Sequence, residues 1–102
     1  MTEEAMAYIR EHYARIHSVT EIAERLGISY HVLRKAFPRD TGKSLAGYLH
    51  QTRVEQARFL KSSTSLKLYA IAREVGYVND HVLRKHWKKI LGTKPSEHID
   101  LQ

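Results

Sequence analysis

A chain of 102 residues with 17 lysines and arginines against 11 acids, a formal charge of +6 and 42% apolar residues has room for one small soluble domain, or for two mini-bundles sharing a helix, and its charge favours a polyanionic partner, nucleic acid first. The lack of cysteine excludes a disulfide framework and any cysteine-based zinc site, and no apolar run approaches the roughly 18 residues needed to cross a bilayer. The opening Met1-Thr2-Glu3-Glu4 is not a basic, apolar signal region, so the expected location is the cytoplasm, with no membrane partner.

Apolar spacing predicts an all-α chain without strands. The first helix, about residues 3–14, places Met6, Ile9 and Tyr13 at helical intervals behind Thr2 as its cap. Ser18-Val19-Thr20-Glu21 has the form of a capping box, in which hydroxyl and carboxylate each satisfy a free backbone N–H, so a second helix starts near Val19 and turns Ile22, Ala23 and Leu26 inward. Gly27 stops it, since glycine suits the left-handed position just past a helix end. Ser29 caps a third helix that runs to about Phe37, because Pro38 disfavours helical backbone in the residue before it. On this helix Val32, Leu33 and Phe37 are read as inward, and His31, Arg34 and Lys35 as outward. After Thr41-Gly42, Ser44 caps a longer connector to about Lys61, with Leu45, Tyr48, Leu49, Val54, Ala57 and Leu60 inward, and residues 62–65 form a turn.

The second half replays the first. His31-Val32-Leu33-Arg34-Lys35 returns as His81-Val82-Leu83-Arg84-Lys85, Ile71-Ala72 answers Ile22-Ala23, Gly76 answers Gly27, Trp87 answers Phe37, and Gly92 answers Gly42. The offset is 49 before the turn and 50 after it, so the second turn is read as one residue longer. Asn79 caps the second recognition-type helix, Asp80 adds negative charge to its first turn, and Pro95 opens a short closing helix. The expected division is residues 1–43, a connector 44–61, and residues 62–102.

A helix face carrying His, Arg and Lys supplies donors for base edges and phosphates, and a merely solvated face has no reason to recur in the same five letters. The other chemistries are weaker. Tyr8, Tyr13, Phe37, Tyr48, Tyr69 and Trp87 fall at core spacing rather than forming a stacking platform. His12 and His17, like His81 and His86, are five apart with no carboxylate completing a shared face, so neither metal nor cofactor is expected. Glu55 and the Glu97-His98 pair are the best pieces an enzyme would have, and no nucleophile or phosphate loop accompanies them. The competing reading is a helical protein-interaction module whose basic face meets an acidic partner.

Ile22-Ala23, Leu26-Gly27-Ile28-Ser29, Leu33, Phe37 and Thr41-Gly42, then Tyr48-Leu49, Arg53, Ala57 and Leu60, then Ile71-Ala72, Val75-Gly76-Tyr77, Trp87-Lys88-Lys89, Gly92 and Pro95-Ser96-Glu97 together resemble the DNA-binding domain of the AraC/XylS family of bacterial transcription regulators. The likeness runs from about Met6 to Ile99. It implies about seven helices in two helix-turn-helix subdomains joined by one long helix, with a recognition helix from each entering successive major grooves on one DNA face. By position, His31, Arg34, Lys35, His81, Arg84 and Lys85 would contact bases, Tyr30 and Asp80 bases or backbone. Lys43, Ser44, Lys88, Lys89 and Lys94 are expected at phosphates. The chain departs from the family at Arg34 and Arg84, where a small polar residue is usual, at Val82-Leu83, often an aromatic pair, at Pro38, usually basic, and at Lys67, which replaces a capping Ser or Thr. Identical recognition tips imply an asymmetric direct repeat of guanine-containing half-sites about one helical turn, roughly 10 base pairs, apart. A monomer would suffice for two half-sites, and RNA polymerase is a further implied partner, in the bacterial nucleoid. The family usually adds a sensing or dimerisation domain, so the chain reads as a short stand-alone activator or an excised C-terminal domain.

Overall fold

Seven helical segments follow one another in the computed structural model, which describes residues 1–97: α1 (Thr2–His12), α2 (Val19–Leu26), α3 (Tyr30–Thr41), α4 (Leu45–Ser63), α5 (Leu68–Glu74), α6 (Asp80–Leu91) and a closing 3-10 turn, Pro95–Glu97. No strand occurs among the described residues, and none of their helices is long and apolar enough to cross a membrane. The chain divides into two compact units, residues 1–52 and 53–102, so α4 gives its first half to one and its second half to the other. His98 and Ile99, which close the Glu97-His98 pair and the family likeness, lie outside the described residues.

In the first unit, α1, α2 and α3 pack around Ala5, Ile9, Ile16, Ile22, Ala23, Leu33 and Phe37, closed by Leu45 and Leu49 from the start of α4. Tyr48 sets its ring edge-on against Phe37 at 5.5 Å and accepts a 2.9 Å hydrogen bond from Arg10. Each large apolar side chain removed from water here contributes about 1.5–3 kcal/mol. In the second unit the buried residues are Val54, Ala57, Ile71, Ala72, Val75, Tyr77, Leu83 and Trp87.

Several starts and stops match the reading of the letters. The Ser29 hydroxyl accepts from the Val32 N–H, the Ser44 hydroxyl from the Gly47 N–H, and the Asn79 carboxamide from the Val82 N–H. Gly27, at φ 68°, takes the left-handed turn that ends α2. Lys67, lacking a capping oxygen, precedes α5 with no side-chain cap.

Other expectations are corrected. Thr2 is not a cap: it lies inside α1, and its hydroxyl donates to Asp40 Oδ2 at 2.6 Å. α1 stops at His12 because the chain tightens into a turn in which the Arg15 N–H reaches the His12 carbonyl. Ser18 does precede α2, but its hydroxyl pairs with that of Thr20 at 2.8 Å, so the reciprocal box is not made. α3 runs through Pro38 to Thr41. Pro38 cannot donate to the Arg34 carbonyl, but the last turn is held by Thr41, donating to the Phe37 carbonyl at 2.7 Å, and by Asp40 on Thr2. α4 runs past Lys61 to Ser63. Tyr69 is 60% exposed rather than core, and Val32 is 47% exposed rather than inward. Neighbouring helix residues sit about 100° apart, and the buried arc of α3 is centred on Leu33, Ala36 and Phe37, so Leu33 lies within it and Val32 falls outside. The connection before α3 spans residues 27–29 and that before α6 residues 75–79, because α5 also ends a residue early, at Glu74.

Candidate nucleic-acid interface

Each unit builds the same device. In the first, Leu33, Ala36 and Phe37 bury one side of α3, which leaves His31, Val32, Arg34 and Lys35 exposed on the other. Tyr30, at the start of the helix, is half-buried against the unit's core. Lys43 and Ser44 are exposed in the connection to α4, with the Lys43 N–H held by the Thr41 hydroxyl at 3.1 Å.

In the second unit Leu83 and Trp87 bury the corresponding side of α6, and His81, Arg84, Lys85, Lys88 and Lys89 are exposed. Together with Leu68, Lys94, Pro95 and Ser96 these residues line an open cleft of about 650 Å³ that contains no carboxylate. Asp80 stands one turn before Arg84, and its Oδ2 lies 3.1 Å from the guanidinium. Among the described residues no carboxylate pairs with Arg34, Lys35, Lys85, Lys88 or Lys89. Their charge is therefore left for an anion from outside.

The turn before α6 is braced from within its own unit. Arg53 is only 6% exposed, its guanidinium lies 5.1 Å from the centre of the Tyr77 ring, and the two side chains are hydrogen-bonded. Burial lowers the Arg53 pKa from its ordinary value, and Tyr77 opposes that. Burial likewise pushes the Tyr77 hydroxyl up to about 12, with Arg53 pulling the other way. His86 of α6 also stacks on the Tyr77 ring, 5.4 Å between centroids and 7° from parallel. His81 is on the exposed cationic face, so the two histidines of α6 do not share a ligand face. Apolar spacing alone does not find Arg53 as a buried brace; a lone Arg amid the apolar stripe of α4 is the only trace it leaves.

His86 supplies a pH test. Its pKa is held below the ordinary 6.5 by burial first, then by Lys85, Lys89 and Arg53. The unfolded chain therefore binds the proton more readily, and the contribution of His86 to stability is complete above about pH 6.5 and lost as pH falls through the lower native value. Wild type is expected to lose stability relative to His86→Phe, which keeps a ring but no proton site, as pH falls from about 7.5 to about 5. A wild-type-to-variant difference that is flat with pH in thermal melts would contradict this.

The helix-turn-helix domain family matches the chain over residues 22–100. The xylose operon regulatory protein of Escherichia coli (strain K12) is 32% identical over 98 residues, covering 96% of this chain and 25% of that protein. The arabinose operon regulatory protein of Salmonella typhimurium is 28% identical over 95 residues, covering 92% of this chain and 34% of that protein. The chain thus spans about a quarter to a third of the length of these curated relatives. Among solved structures, the C-terminal domain of AraT, a response regulator from Geobacillus stearothermophilus, is similar at TM-score 0.89 and 30% identity, over 94% of this chain and 80% of that one. The DNA-binding domain of AdpA, solved in complex with a target DNA, is similar at TM-score 0.85 and 26% identity, over 93% of this chain and 86% of that one. With the repeat, its two turns and these relatives in agreement, the chain belongs to the AraC/XylS family of transcription regulators, of which it carries the helix-turn-helix DNA-binding domain.

Proposed function

We propose that the chain binds double-stranded DNA sequence-specifically, each unit laying its recognition helix, α3 or α6, in the major groove, and that it thereby regulates transcription initiation. The observation that carries this reading is the doubled helix with Leu and an aromatic residue buried beneath exposed cations that have no internal carboxylate on most positions. His31, Arg34 and Lys35 of α3, and His81, Arg84 and Lys85 of α6, read base edges; Tyr30 and Asp80 meet bases or backbone. Lys43, Ser44, Lys88, Lys89 and Lys94 hold phosphates, which position the protein without carrying sequence information. Exposed Val32 adds an apolar contact suited to a thymine methyl group.

The site is an asymmetric direct repeat with guanine in each half, the halves about one helical turn apart. One chain suffices for both halves, RNA polymerase is the partner on the promoter, and the protein works in the bacterial cytoplasm at the nucleoid. No catalytic step is assigned to it. Family membership favours this reading over a protein-interaction module.

Selection of bound duplexes from a random library tests orientation, spacing and base preference together. An inverted palindrome, or unrelated half-sites, would overturn the direct repeat. Arg34→Ala is expected to cost about 1–3 kcal/mol on sites with its preferred base pair and far less on others, whereas Lys88→Ala weakens every sequence alike. Equal losses from both variants on all sequences would refute this division of labour.

A further inference from the structure

The two pentapeptides are identical in letters and differ in what holds the arginine. In α6 the residue one turn before Arg84 is Asp80, and its carboxylate meets Arg84 Nη2 at 3.1 Å. In α3 the residue one turn before Arg34 is Tyr30, which packs against the core of its unit, and no described carboxylate pairs with Arg34. The chain therefore contains its own control: one recognition arginine tethered, its twin untethered.

The tether matters because of what a guanidinium does at guanine. Its planar fork makes two parallel hydrogen bonds to O6 and N7, and that geometry is met only if the long, freely rotating side chain arrives in the right plane. A carboxylate engaged on Nη2 limits the rotamers from which Arg84 starts and leaves its other N–H donors for the base. The same carboxylate has only acceptors to offer. It is favourable beside the amino group of a neighbouring cytosine or adenine, and unfavourable beside another acceptor. Asp80 is 36% exposed and Arg84 60% exposed at the side chain, so both reach an incoming duplex.

We propose that Asp80 is a specificity-determining residue that positions Arg84 for guanine in the α6 half-site, and that α3, which lacks it, reads its own half-site more permissively. This rests on the DNA-binding reading above. The experiment is the same selection, followed by competition binding of matched and single-substituted duplexes, on wild type, Asp80→Ala, Asp80→Asn and Tyr30→Asp, with thermal melts of each. Asp80→Ala is expected to reduce guanine preference at the Arg84 position about tenfold, the size of one good base contact, and to leave the α3 half-site unchanged. Asp80→Asn, which keeps an acceptor but no charge, falls between. Tyr30→Asp sharpens guanine preference in the α3 half-site.

An Asp80→Ala protein that loses affinity equally on all sequences would show that Asp80 merely stabilises the start of α6, and overturns the proposal. So does an unchanged preference in all three variants. Should Asp80→Ala melt before binding is measured, Asp80→Asn and Tyr30→Asp decide the matter alone. A wild-type protein that selects no sequence overturns the DNA-binding reading and this inference together, whereas a wild type that selects guanine with variants that select it equally sinks only the inference.

Discussion

Raising monovalent salt from about 50 to about 200 mM weakens binding to a matched duplex about a thousandfold, because neutralising about six phosphates gives a slope near −5 in log affinity against log salt. The cations are in place for this: Lys43 in one unit, Lys88, Lys89 and Lys94 in the other, and the arginines and lysines at the recognition tips, on a chain of net charge +6. Bound counterions leave the duplex as these side chains arrive, and the entropy of that release shrinks as bulk salt rises. Equilibrium binding over a salt series measures the slope. Lys88→Ala should make it shallower by about one unit, the signature of a single lost phosphate contact. A wild-type slope near −1 would mean that the basic surface does not track the backbone.

Truncating the aromatic residue beneath either recognition helix should cost about 3–5 kcal/mol, the usual penalty when a large buried ring becomes alanine. Phe37 and Trp87 are both fully buried, each at the corresponding place of its unit. The loss combines the transfer free energy of the ring with a void that neighbours such as Leu33 or Leu83 cannot fill without leaving their rotamers. For a domain of this size, whose whole stability is about 5–15 kcal/mol, such a loss removes much of the margin. Denaturant unfolding of Phe37→Ala and Trp87→Ala measures it from the shift in midpoint at constant slope. A change below about 1 kcal/mol would show that the ring is not carrying the packing ascribed to it.

What could be read from the letters was what local chemistry decides. Ser29, Ser44 and Asn79 cap their helices through bonds to N–H groups three residues on, a distance within one turn, so the sequence neighbourhood contains both partners. Gly42 and Gly92, both at φ 79°, mark helix ends for the same reason. The all-helical fold followed from apolar spacing and cap residues, the family from its resemblance at the residues quoted, and the relatives bear both out. The exposure of His31, Arg34, Lys35, His81, Arg84 and Lys85 also followed, since it is the complement of a buried Leu and aromatic pair.

What escaped were outcomes settled by residues distant in sequence. Pro38 should end α3 on local grounds, yet Thr2, bonded to Asp40 38 positions further along the chain, secures the turn that follows it. Tyr69 has the spacing of a core residue but finds nothing above it. Arg53 is charged and is nonetheless buried, because Tyr77, in the turn before α6, supplies the ring and hydroxyl that its guanidinium needs. Asp80 was read only as a negative charge in the first turn of α6 and a contact to bases or backbone; its bond to Arg84, four residues on, is set by the two side-chain rotamers.

The bond from Thr2 to Asp40 sets a practical boundary on how this protein is handled. A purification handle or reporter fused ahead of Met1 would be anchored one residue from a latch on the last turn of α3, so mechanical load on that fusion bears on this helix. A Thr2→Val protein shows whether the latch is released.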